Sequence, residues 1–167
     1  LAGLEQVLVL AAYAQAVELG QLDPEEPVLL ADWDRYHLPN ADEGAHNQVL
    51  KRLNMAPSPL GFAESSQQSV PLREIPWAMI RYNDASAMSY LLTRLDADAL
   101  AQVSQTAGFS ESPQIWSPLA LALLWRNHEF FTQDTEQAET ILALPAETAR
   151  TRAEALVQQY LSDSAWR

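Results

Sequence analysis

Between Val70 and Leu95 the chain reads VPLREIPWAMIRYNDASAMSYLLTRL, two apolar helical stretches joined end to end through one polar break. Leu72, Ile75, Ala78 and Met79 recur at helical spacing before the break, and Ala87, Tyr90, Leu91 and Leu95 do so after it. The break is Tyr82-Asn83-Asp84. Asp84 has the side chain of an N-cap, able to accept hydrogen bonds from the free N–H groups of a second helix whose first turn is Ala85, Ser86 and Ala87. A chain built on this stretch must bury both helices and hold a polar tripeptide rigidly between them.

The other segments share the 3.6-residue period. Leu4, Val7, Leu8, Ala11, Ala12 and Ala14 mark a helix over 1–20 that Gly20 ends. Asp23-Pro24-Glu25-Glu26-Pro27 is a turn, and Val28-Leu29-Leu30 fits a short extended piece. Helices are expected over 43–53, over 97–107 with Gly108 as its stop, and over 119–131 after the cap and first-position proline Ser117-Pro118. Two more are expected from Asp134 or Thr135 to Leu144 and over 146–161. The expected fold is therefore all-α, about seven helices around a buried central pair, in one domain over 1–167. With 167 residues, 48% of them hydrophobic, the chain has material for one real core.

Charge and composition narrow the partners. A net charge of −12 opposes binding to nucleic acid or anionic lipid, both of which require a basic surface. The longest apolar run, Val7 to Ala12, is far short of a membrane span. Without cysteine there is no disulfide framework and no thiolate nucleophile or ligand. His37, Asp42, Glu43 and His46 are of metal-ligand type, but their irregular spacing in a loop favours a polar loop that caps a helix, and no metal or cofactor is expected. His128 and Glu129 are helix neighbours that point apart, and Glu136, Glu139, Glu147 and Glu154 suit solvated faces.

The central string resembles, without a gap, the segment of class A β-lactamases and D-alanyl-D-alanine peptidases that runs from Leu-Arg-Glu-Leu through Ser-Asp-Asn into an alanine-rich helix. Asn83-Asp84-Ala85 stands where that family has Ser-Asp-Asn. In the family the Asp is mainly structural, the Ser relays a proton and the Asn contacts substrate. The likeness extends upstream: Val9-Leu10-Ala11-Ala12, Gly20-Gln21-Leu22-Asp23 and Pro27-Val28 follow the order found after the family's Ser-x-x-Lys. That alignment puts Gly3 at the nucleophile and Gln6 at the activating base. Gly3 has no side chain and Gln6 cannot accept a proton, so acyl transfer lacks both of its first requirements. Lys51 is the only lysine, Gln48 precedes it by three, and Arg52-Leu53 follow it, so neither Ser-x-x-Lys nor Lys-Thr-Gly occurs. Glu111 is the only acid between Gly108 and Trp116, and it does not reproduce the family's deacylating motif.

The resemblance covers nearly the whole chain in order, but only the helical part of the family fold. A helix that opens at the chain terminus sets an α-ammonium against the positive end of its dipole, which leads us to expect further chain upstream. What the resemblance implies is a catalytically inactive β-lactamase-like domain, a fragment or descendant of a longer protein, that binds a peptidoglycan-like or acyl ligand or a protein partner, or serves as structure. The alternative is the helical part of an active serine hydrolase whose remaining segments lie outside this chain. A periplasmic or secreted, monomeric protein is implied by the same likeness.

Overall fold

The computed structural model describes residues 2–110, 113–126 and 143–163. Among these the chain is mostly helical, with eight helices and a single two-stranded ribbon. It folds as two compact units, 1–115 and 116–167.

In the first unit α1 (Ala2–Glu18) packs against α4 (Glu74–Tyr82), α5 (Ala85–Arg94) and α6 (Ala97–Thr106). The central pair is α4 and α5. Ile75, Pro76, Ala78 and Met79 are buried on α4, and every residue from Ser86 to Leu91 is buried on α5. Val9, Ala12 and Ala16 of α1 join them in one cluster with Leu30, Trp33, Val49 and Leu50. The small alanines at these positions bring the helices close, and the branched and aromatic side chains fill the remaining volume.

Two elements go beyond what periodicity suggested. β1 (Pro27–Leu29) pairs antiparallel with β2 (Ser69–Pro71), with Val28 opposite Val70. Both valines are buried, whereas their neighbours face outward or stand half-buried. Val70 and Pro71 open the stretch read as helical from the sequence, but the helix starts later, at Glu74, because β2 holds them extended. Directly after β1 comes the short helix α2 (Leu30–Asp34), with Leu30, Trp33 and Asp34 buried. The helix expected over 43–53 is α3 (Ala45–Arg52), which begins after Gly44 in a left-handed conformation. Gly20 and Gly108 take positive φ just beyond α1 and α6, as the reading of both as helix stops requires.

In the second unit α7 (Pro118–Arg126) packs on α8 (Ala146–Ser162). Leu119, Ala120, Leu123 and Leu124 are buried on one, and Ala149, Ala153, Leu156 and Tyr160 on the other. The Ser117 hydroxyl accepts from the Ala120 N–H at 3.4 Å, a long capping contact at the expected position. Of the helix expected from residue 134 to Leu144 only Ala143 and Leu144 are described, in a turn and a bend; its remainder, the end of the one expected to reach Phe131, and Glu111, His128, Glu129, Glu136 and Glu139 lie outside the described residues.

Candidate functional site at the break between the central helices

Asn83 closes α4 with φ 58° and ψ 38°, a left-handed conformation that asparagine tolerates better than most side chains. Asp84 then returns to extended backbone, so the two neighbours face opposite ways. The Asn83 side chain reaches the surface, where its Oδ1 accepts from Gln6 Nε2 at 2.5 Å. The Asp84 carboxylate is fully buried.

Asp84 caps α5 as its sequence position requires: Oδ1 accepts from the N–H of Ser86 at 2.8 Å and of Ala87 at 3.1 Å, and from the Ser86 hydroxyl at 2.5 Å. Its other oxygen, Oδ2, lies 2.8 Å from Nδ1 of His46. On the far side of that ring, His46 Nε2 lies 2.9 Å from Oδ1 of Asp34, whose Oδ2 accepts from the Ala63 N–H at 2.7 Å. Both ring nitrogens of His46 thus face carboxylate oxygens, which can only accept. A ring that donates from both nitrogens is an imidazolium.

The electrostatics agree with this geometry. Burial disfavours a charged His46, but the Asp84 charge and the hydrogen bonds to Asp34 and Asp84 outweigh it and raise the imidazolium pKa to about 10. Burial likewise opposes ionisation of Asp84, and the His46 cation together with hydrogen bonds from His46, Ser86 and Ala87 overcomes that and holds its pKa below the usual carboxylate value. Trp33 meets the His46 ring edge-on, and His37 stacks on it with centroids 4.7 Å apart. His37 Nε2 lies 3.2 Å from the Leu60 carbonyl, and Phe62 packs edge-on against the same imidazole.

Comparison with known protein families, with curated proteins and with solved structures yields no match. The chemistry of the site therefore rests on its geometry. Both nitrogens of His46 are engaged by carboxylates, and the buried Ser86 hydroxyl donates to Asp84 Oδ1 and lies 3.0 Å from His46 Nδ1, so it is shared between the two partners. Among the described residues no group of three or more His, Cys, Asp or Glu side chains is arranged to hold a metal ion. What the interior provides is a fixed charge triad, Asp34–His46–Asp84, that sets the direction in which Asn83 and Ala85 leave the break.

Of the positions singled out in the sequence, Gln6, Asn83, Asp84 and Ala85 belong to this region, and Gln6 meets Asn83 across 77 residues of chain. Gly3 lies one turn before Gln6 on α1, and a Cβ added there would meet nothing within 4 Å. The expected polar loop ahead of α3 is present in part: Asp42 accepts from the N–H groups of Gly44 and His46 at 3.1 and 2.9 Å. His46 itself is no loop residue. It shares the inner face of α3 with Val49 and Leu50, three and four positions on, and that spacing was the signal for its burial. Asp34, Ser86 and the stacking of His37 on His46 gave no sequence signal of their own.

Gly61 bears on the site from outside. Its φ is +90°, and a Cβ there would stand 2.6 Å from His37 Nε2 and 3.0 Å from Asn47 Oδ1. Gly61→Ala is expected to cost about 1–3 kcal/mol through backbone strain and displacement of His37. Urea denaturation checks this, and an unchanged midpoint would mean that the loop does not rest on the imidazole.

Proposed function

We propose that this chain is a catalytically inactive β-lactamase-like serine hydrolase unit that holds a peptidoglycan-like or acyl ligand without turning it over. One observation carries the reading. Gln6 and Asn83, which the resemblance aligns with the activating lysine and the relay serine, are hydrogen-bonded to each other. In an active site of that kind the base and the relay group must lie within hydrogen-bond reach, because the proton passes between them. Here a pair of primary amides occupies the two positions and can offer donors and acceptors to a bound carbonyl or carboxylate, but cannot carry a proton. With glycine at position 3 there is no hydroxyl to attack. Further chain outside this sequence would not restore either group, which favours the inactive reading over the helical part of a working hydrolase. A periplasmic or secreted setting belongs to the same proposal.

The test is intact-mass spectrometry and amide-detected NMR with a reporter penicillin. No covalent adduct is expected on the unmodified chain, together with reversible shifts of the Gln6 and Asn83 side-chain amides. An adduct would overturn the inactive assignment, and unshifted amides with penicillin and with a muropeptide would overturn ligand binding. The double variant Gly3→Ser, Gln6→Lys sets hydroxyl and amine one turn apart on α1, the hydroxyl in open space and the amine beside Asn83. It too is expected to stay free of adduct, because preorganised donors to the developing oxyanion supply a large share of such rates.

A further inference from the structure

Three arginines of this acidic chain are spent on glutamates: Arg73 pairs with Glu25, Arg94 with Glu26 and Arg150 with Glu147. Arg52, in the last turn of α3, and Arg81, in the last turn of α4, differ. Among the described residues neither has a carboxylate within ion-pair reach. The Arg52 guanidinium lies instead over the Trp77 ring, its carbon 5.4 Å from the ring centroid, in the range of a cation–π contact. Tyr82 meets Trp77 edge-on at 5.2 Å, and both rings are half-buried against the core of the first unit, so the platform under Arg52 is fixed. Arg81 follows Trp77 by four residues on α4 and therefore shares its face. Ile80 beside them is 44% exposed, and Glu74, one turn before Trp77, faces Arg73 at 3.9 Å.

We infer that Arg52, Trp77 and Arg81 form a docking site for an acidic peptide segment of a partner protein, its carboxylates on the two guanidinium groups and an apolar side chain against Ile80. A guanidinium stacked on an indole keeps its N–H donors in the plane of the fork, where they match a carboxylate two by two. Its stem is already ordered by the stack, so less side-chain freedom remains to be lost on binding. The dipoles of α3 and α4 favour cations at these helix ends without consuming their donors. With 22 acidic residues against 10 Lys and Arg, the chain as a whole repels polyanions such as nucleic acid and anionic membranes. Within a screening length of about 8 Å the local cations prevail, and a short segment with few carboxylates experiences only them. The exposed Ile80 favours a segment of mixed acidic and apolar character over an inorganic anion. This binding is independent of any ligand at Gln6 and Asn83.

Nitrogen-15 NMR of the full chain tests it with two blocked tripeptides, acetyl-Glu-Leu-Glu-amide and acetyl-Gln-Leu-Gln-amide, each at up to about 10 mM. The acidic peptide is expected to shift the Trp77 indole N–H, assigned by its loss in Trp77→Phe, and the Arg52 Nε–H, and to bind more weakly as salt is raised. The glutamine peptide is expected to shift neither. Arg52→Ala and Arg81→Ala should each weaken binding by about fivefold, the scale of one exposed ion pair. Arg52→Lys keeps the charge without the planar fork and should lose as much as Arg52→Ala, whereas Arg150→Ala, which removes the same charge from α8, should bind as the unmodified chain does. All three arginines are exposed, so the variants are expected to fold. Resonances that do not move with the acidic peptide, equal shifts with the glutamine peptide, full binding by Arg52→Lys or a parallel loss in Arg150→Ala would overturn the site. Inorganic phosphate or a single-stranded oligonucleotide acting at lower concentration than the acidic peptide would overturn the peptide as its occupant.

Discussion

Asp84→Ala is expected to destabilise the first unit by about 3–5 kcal/mol, the scale for removing one partner of a buried ion pair, to which the lost helix cap contributes about 1 kcal/mol. The substitution deletes the acceptor for Ser86 and Ala87 and leaves the His46 cation with Asp34 alone. Against a typical stability of about 5–15 kcal/mol, such a loss places the unit near unfolding. Asp84→Asn separates the two contributions: it keeps an oxygen for the cap but removes the charge, and should fall closer to Ala than to the unmodified chain. Asn83→Ala breaks the surface amide pair and puts alanine at a left-handed position, and should cost about 1 kcal/mol, still less than Asp84→Ala. Urea midpoints at pH 7 give all three values. A loss at Asp84→Ala no larger than that at Asn83→Ala would mean that the triad contributes nothing beyond a surface turn.

The second large effect is at His46 and has a distinctive pH dependence. His46→Phe keeps a ring against Trp33 but leaves two carboxylates facing each other with no cation between them, for an expected loss of about 3–5 kcal/mol at pH 7. In the unmodified chain the folded pKa of His46, about 10, stands above the unfolded value of 6.5, so its contribution is complete below pH 6.5. That contribution is lost at up to ~1.4 kcal/mol per pH unit as pH climbs towards 10. His37 and Asp84 have lowered pKa values and act in the opposite sense, stabilising above their unfolded values and failing as pH falls. Stability should therefore be greatest near pH 6.5 and decline on both sides. The Phe variant should lose the alkaline limb. Urea midpoints across pH 5 to 10 distinguish the two profiles, and an alkaline limb that persists in His46→Phe would exclude the imidazolium as its source. Because both residues belong to one network, the double variant should cost less than the sum of the singles.

Much of the fold was legible from periodicity and termini. The apolar spacing of 70–95, the cap at Asp84, the stops at Gly20 and Gly108 and the start at Ser117-Pro118 are all local signals, and each has a backbone cause within a few residues. The ribbon was not legible in full, since β2 has three residues, one of them proline, and such a segment has too little length for an alternating pattern. The charge triad was legible only in pieces. Asp84 announced itself as a cap, His46 lay on the apolar face of α3, and Asp34 lay in a stretch of mixed charge and aromatics, but pairing them is a long-range fact that no window of sequence contains. The meeting of Gln6 with Asn83 is of the same kind.

The ribbon has a mechanical consequence. Pairing Leu29 with Ser69 closes a loop of about 40 residues, at an entropic cost of about 3 kcal/mol from the logarithmic length dependence alone. Three residue pairs by themselves offer little to offset it, and the burial of Val28 and Val70 in the core of the first unit supplies the rest. The contour closed by that pairing includes Asp34, His37, His46 and Leu60, so the ribbon and most of the charged interior lie within one ring of chain. The strands close the ring at its neck, and the Asp34–His46 pair lies inside it. Opening should consequently be shared between Val28 on the rim and His46 at the centre, one cooperative event rather than a frayed edge around a rigid core.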